Sequence, residues 1–165
     1  MPRQGVRHTD HIGLTVPDLE EAVSFLQDLL GASELYRVGP FEADDDWMQR
    51  HLGVHPRAKI RQLAVLRLGT GPDLELFEFD APDQRPFAPR NSDVGAAHLA
   101  FYVDDINTAE SELRARGLTL LGETTTMVEG PSAGLSWIYF LSPWGLQLEL
   151  VSAPKGLAYE RSAPR

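Results

Sequence analysis

Asp10-His11-Ile12-Gly13-Leu14-Thr15-Val16-Pro17-Asp18-Leu19 returns later in the chain as Ala97-His98-Leu99-Ala100-Phe101-Tyr102-Val103-Asp104-Asp105-Ile106. Each copy carries a histidine at its second position, alternates through a short strand, and ends at an aspartate before a helical pattern. A second signal, Leu74-Glu75-Leu76, returns as Leu148-Glu149-Leu150. Either match alone is weak. Their shared order, histidine strand first and glutamate strand last, points to a duplicated unit, and that reading decides the fold.

A helix follows each histidine strand. In the first, Asp18 is the N-cap, Glu21 sits at the capping-box position, and Leu19, Ala22, Val23, Leu26 and Leu30 follow helical spacing until Gly31. In the second, Asp105 caps, Ile106, Ala109 and Leu113 form the stripe, and Gly117 stops it. Arg114 and Arg116 fall in its last turn, where positive charge suits the helix dipole. Strands are expected over 34–38, 61–68 and 73–79, with counterparts over 118–122, 136–141 and 146–151. Gly69-Thr70-Gly71-Pro72 and Ser142-Pro143-Trp144-Gly145 read as the turns of equivalent hairpins.

Each half is thus strand, helix, three strands. The expected class is α+β: paired βαβββ modules forming a curled mixed sheet, a trough, with helices on its outer face. Residues 8–80 are the first module, 81–94 a proline-rich linker, 95–152 the second module and 153–165 a flexible tail, within one domain of 165 residues. The interval from His11 to Glu75 is longer than that from His98 to Glu149, and most of the excess falls between Val38 and Lys59. A long excursion beside a site can be a lid, although a plain surface loop is the commoner outcome.

Composition narrows the function. The formal charge is -9, from 24 acidic and 15 basic residues, so no basic stripe would draw a nucleic acid or an anionic membrane surface. Cysteine is absent, which excludes disulfides, thiolate nucleophiles and thiolate metal sites. Any metal must rest on nitrogen and oxygen ligands. Residues 1–10 are polar, with no apolar core like that of a signal peptide, and no apolar run approaches the roughly 20 residues that span a bilayer. A cytoplasmic protein is the expectation.

Strand alternation then sorts the side chains by face. Ile12, Leu14 and Val16 suit the helix-packing face, leaving His11, Gly13 and Thr15 opposite. Leu99, Phe101 and Val103 do the same, leaving His98, Ala100 and Tyr102. Leucines flank Glu75 and Glu149, so two histidines and two carboxylates lie opposite the helices. A glutamate inside an apolar strand needs a compensating partner, because burying an unpaired carboxylate is costly. Two glutamates with two histidines make one divalent cation a good common partner, and zinc, nickel, iron, manganese and cobalt all suit these donors. A lone histidine at a strand start is usually just hydrogen-bonded or exposed; the repetition is what overturns that. His51, His55 and the acidic run Asp44 to Asp46 have no such support and read as surface loop.

At these residues the chain resembles the vicinal oxygen chelate superfamily, which holds glyoxalase I, methylmalonyl-CoA epimerase, extradiol dioxygenases and the fosfomycin and bleomycin resistance proteins. The resemblance spans about residues 8 to 152 and is most specific at the two histidine strands and at the closing Ser142-Pro143-Trp144-Gly145-Leu146-Gln147-Leu148-Glu149-Leu150. It implies a glyoxalase-like trough and metal ligands at His11, Glu75, His98 and Glu149. Glutamate at both strand positions looks like glyoxalase I, where a ligand glutamate also moves the proton. The coenzyme-A epimerase branch usually has an amide at the position of Glu75 and an acidic base near that of Gln62, so this chain departs from it. Other members epimerise carbons beside a ketone in sugar-like molecules.

The resemblance therefore implies an isomerase or lyase that chelates a small oxygenated carbonyl substrate on zinc, nickel, cobalt or manganese. It moves a proton through an enediolate, with Glu149 and, second to it, Glu75 as the catalytic carboxylates. The alternatives are an iron(II) extradiol-type dioxygenase and a small-molecule binding protein without turnover. The family usually forms a homodimer, and the sequence leaves open whether the metal is held within one chain or across two.

Overall fold

The computed structural model describes residues 5–43 and 46–162. The chain divides into two compact units between Pro86 and Phe87, inside the proline-rich stretch. The first contains β1 (His11–Thr15), α1 (Leu19–Leu30), β2 (Ser33–Val38), α2 (Trp47–Leu52), β3 (Lys59–Arg67) and β4 (Asp73–Asp80). The second contains β5 (Leu99–Tyr102), α3 (Ile106–Ala115), β6 (Leu120–Thr126), β7 (Ser136–Leu141), β8 (Gln147–Ser152) and α4 (Ala158–Ser162). Each unit is an α+β module with one four-stranded mixed sheet, ordered β1-β4-β3-β2 and β5-β8-β7-β6. The histidine strand pairs parallel with the glutamate strand in both, and the other pairings are antiparallel.

Capping fixes where the helices begin. Asp18 accepts the Glu21 N–H at 2.9 Å, and Glu78 on β4 accepts the Leu19 N–H at 3.1 Å. Gly31 ends α1 in the left-handed region at φ 69°, where its N–H reaches the Gln27 carbonyl. Asp105 accepts from the N–H groups of Asn107 and Thr108 to start α3.

The Glu78 contact also sets the parity of the first sheet. Leu74, Leu76 and Glu78 share the α1 face, where Leu19, Ala22, Val23 and Leu26 are buried. Glu75, Phe77 and Phe79 therefore lie on the opposite face. In the second unit Ile138, Phe140, Leu148 and Leu150 are buried, as are Ile106 and Leu113 of α3, and Tyr139 and Glu149 take the other face.

Two segments differ from a plain loop and a fraying tail. The excursion between β2 and β3 contains α2, with Met48 fully buried beside Ile60, Leu63, Phe77 and Phe79. Apolar contact with that face, not surface polarity, decides its course. Phe41 and Ile60 exchange backbone hydrogen bonds of 2.9 Å, which carries β3 back to Lys59. Near the C-terminus, α4 is tied down by Ala158 and Tyr159 N–H groups donating to the carbonyls of Ala133 and Pro131. No helix among the described residues is long and apolar enough to cross a membrane.

Candidate metal centre

The structure brings His11 together with Glu75, and His98 together with Glu149, as one pair in each unit. Among the described residues no cluster of three or more possible ligands is assembled. Both pairs are built the same way. Gly13 stands directly across the β1–β4 ladder from Glu75, and Ala100 across β5–β8 from Glu149. The residue facing each glutamate is thus small in both units. The His11 Nε2 to Glu75 Oε2 separation is 3.3 Å, and that from His98 Nε2 to Glu149 Oε2 is 3.2 Å.

The other ring nitrogen is engaged as well. His11 Nδ1 lies 3.0 Å from Asp10 Oδ2, and His98 Nδ1 lies 3.1 Å from Asn91 Oδ1. A proton held on Nδ1 by that oxygen would leave the Nε2 lone pair for an ion shared with the carboxylate. That arrangement is what a ligating histidine needs. Metal–nitrogen and metal–oxygen bonds of about 2.0 to 2.2 Å, at tetrahedral to right-angled geometry, set donors about 3.0 to 3.4 Å apart. Both pairs fall in that range, so the two donors of each pair are spaced as neighbouring ligands of a divalent ion would be.

Electrostatics differ between the pairs. The Asp10 hydrogen bond, then the Glu75 charge, hold the His11 imidazole above its ordinary value. Burial pushes the Glu149 carboxyl up against the opposing pull of His98. Glu149 is the more enclosed carboxylate, with 11 % of its side chain exposed against 23 % for Glu75. Tyr139 is its direct ladder partner, and its ring meets the His98 ring edge-on at 5.2 Å. Burial and then the Glu149 charge push the Tyr139 hydroxyl up, while a hydrogen bond from Asn91 pulls the other way.

Residues 10–134 match the Glyoxalase/Bleomycin resistance protein/Dioxygenase superfamily. The chain belongs to that superfamily. Within it, the chain is 47 % identical over 152 residues to a protein of an Actinomyces species named 2-epi-5-epi-valiolone epimerase, covering 92 % of this chain and 82 % of that one. It is 31 % identical over 149 residues to the uncharacterised YaeR of Escherichia coli K12, covering 88 % and 96 %. A glyoxalase family protein from Bacillus cereus has the same fold, with a TM-score of 0.69 at 24 % identity, covering 92 % of this chain and 97 % of that one.

Other glyoxalase-superfamily expectations can now be placed. Gln62 pairs with Glu78 and so carries the register of the α1 face, not that of Glu75. His51 lies on α2, stacked on Trp47 at 4.4 Å, and His55 accepts the Arg57 N–H. Asp46 is the N-cap residue of α2, while Asp44 and Asp45 lie outside the described residues. Asp10, Asn91 and Tyr139 carry contacts that the strand pattern does not reveal. One sequence signal bears on them: the repeat breaks where Asp10 corresponds to Ala97, so the second histidine lacks the carboxylate that precedes the first.

Proposed function

We propose that this chain is a divalent-metal-dependent epimerase of a hydroxylated cyclic ketone of the valiolone type, with His11, Glu75, His98 and Glu149 as its metal ligands. The observation that carries the reading is the matched pair of histidine–glutamate contacts at 3.3 and 3.2 Å. The relative named as an epimerase supports the reaction class and supplies the substrate to test. When bound, zinc, nickel, cobalt or manganese would polarise the ketone and acidify the neighbouring C–H.

Glu149 takes that proton. Its enclosed position raises its affinity for a proton, as a base needs. Inversion requires a proton returned to the opposite side of the same carbon, and Glu75 is the second carboxylate available to supply it. Trp137 and Tyr139, with ring centres 5.1 Å apart on the strand beside Glu149, offer aromatic surface and a hydroxyl to a polyhydroxylated ring. Glu75 beside His11 sets this reading above an iron(II) ring-cleaving dioxygenase, because a fourth protein ligand would occupy a position that catechol and dioxygen need.

The test combines metal analysis with proton exchange. Purified protein should carry close to one divalent ion per chain, lowered by His11→Ala and by His98→Ala. With 2-epi-5-epi-valiolone in deuterated water, the C–H beside the ketone should exchange in the wild type. Glu149→Gln should retain much of the metal and lose that exchange, and Glu75→Gln should be hurt less. Unchanged metal content in both histidine variants removes the site, and normal exchange in both glutamate variants removes the mechanism. The same reading expects a cytoplasmic homodimer, so a strictly monomeric species by light scattering counts against the assembly.

A further inference from the structure

The two histidines are held by different chemistry. His11 has the carboxylate of its own chain neighbour, Asp10, at 3.0 Å. The repeat puts Ala97 at the corresponding place, so nothing adjacent can serve His98. Instead a turn from the preceding loop supplies Asn91, whose Oδ1 lies 3.1 Å from His98 Nδ1. That turn is built for the purpose of holding its shape: Asp93 N–H donates to the Arg90 carbonyl at 2.8 Å, and the Asp93 carboxylate accepts the Arg90 N–H at 2.9 Å. Ala96 N–H donates back to the Asp93 carbonyl at 3.0 Å, closing the loop onto the approach to β5. The Asn91 side chain also acts on Tyr139, the ladder partner of Glu149, pulling its hydroxyl against the upward push of burial.

We propose that Asn91 is a positioning residue that orients His98 through Nδ1, replacing in the second half the role that Asp10 plays in the first. The inference rests on the ligand assignment above and deepens it. With Oδ1 accepting from His98, the Asn91 side chain fixes the plane of the imidazole that flanks Glu149. A ligating histidine whose second nitrogen has a fixed acceptor binds metal more tightly, and loss of such an acceptor typically costs about 10- to 100-fold in affinity. A carboxylate is the stronger acceptor, because charge-assisted hydrogen bonds are about twice as strong as neutral ones. The two imidazoles are therefore unequal ligands: His11 is the more strongly polarised, His98 the more weakly.

Two measurements test this without turnover. The first is competition of the metal-free protein against a chelator for zinc and cobalt, together with the visible spectrum of the cobalt form. Asn91→Leu should weaken binding by about tenfold or more and shift the cobalt spectrum. Asn91→Asp should restore or tighten it. The second is proton NMR of the zinc form, in which the Nδ1–H of each ligating histidine is shielded from exchange by its acceptor. The His98 resonance should broaden or vanish in Asn91→Leu while the His11 resonance stays, and Asp10→Ala should do the reverse.

His98→Ala separates the failures. If it leaves metal affinity unchanged, the ligand assignment is wrong. If it weakens affinity while Asn91→Leu keeps wild-type affinity, spectrum and the His98 Nδ1–H signal, this inference is wrong. Asn91 is exposed and outside the sheets, so apo-protein melting curves that superimpose on wild type exclude misfolding as the cause.

Discussion

Gly13 and Glu75 face each other across the parallel β1–β4 ladder, beside the 3.3 Å contact between Glu75 Oε2 and His11 Nε2. A Cβ at Gly13 would meet only Phe77, at an ordinary 3.8 Å, so the backbone tolerates a side chain there. Gly13→Ala should therefore fold normally and leave the His11–Glu75 pair intact, as Ala100 leaves the matching pair. Gly13→Val should also fold, since β-branched residues suit strands, but it sets added bulk directly across the ladder from Glu75. We expect about a tenfold loss of metal affinity with an unchanged or higher melting temperature. Wild-type affinity in Gly13→Val would show that bulk at that position has no such effect.

Met48 tests whether α2 is part of the site's surroundings. It is fully buried beside Phe77 and Phe79, which share a sheet face with Glu75. Met48→Ala should cost about 2 to 5 kcal/mol, the usual range for emptying a buried position of this size. Hydrogen exchange should speed up in α2 and in the Phe41–Ile60 bridge before it does in α1. Uniform loss across the first unit would mean that α2 does not open separately.

Gly39 begins the same excursion. Its φ of 138° is one that side chains rarely adopt, and an added Cβ would lie 2.7 Å from the Arg61 carbonyl oxygen and 2.9 Å from the Gln62 Cα. Both are backbone atoms of β3 and cannot swing away. Gly39→Ala should destabilise the protein by about 1 to 3 kcal/mol or more. The control is Gly53→Ala, which has positive φ but open space around it and should cost less. Equal losses at the two positions would rule out the close approach as the cause.

Glu110 gives the pH dependence. The Thr124 hydroxyl donates to it at 2.6 Å and Arg114 at 2.7 Å, tying α3 to β6. The Thr124 hydrogen bond, then that of Arg114, hold the carboxyl below its ordinary 4.5. A depressed folded value contributes stability that is complete above the unfolded value and is lost as pH falls through the folded one. Glu110→Gln should thus be less stable than wild type by about 1 kcal/mol at neutral pH, a figure reduced for screening by water. The gap should close below pH 4.5, where the wild type loses the same interaction. A gap independent of pH would show that the carboxylate charge is not what matters.

The repeat and strand alternation made the module pattern, both main helices with their caps, and the sheet faces that carry the two histidines and two glutamates legible in the sequence. These follow from local rules: side chains alternate in a strand, recur in a helix, and a duplicated order repeats both. His11 and Glu75 are far apart in the chain, yet each lies within a strand whose face its own neighbours specify. The residues behind them were not legible. Asp10 is adjacent to His11, but adjacency alone does not show that its carboxylate turns toward the ring. Asn91 reaches His98 through a turn fixed by Asp93, and Met48 reaches Phe77 through a helix set in an irregular excursion. Such contacts depend on where loops travel in three dimensions, which periodicity does not encode, because a loop is ordered by specific hydrogen bonds and burial and not by a repeating pattern of side chains. The sequence alone therefore determined which faces carry the histidines and carboxylates. The tertiary structure decided which side chains hold them in place.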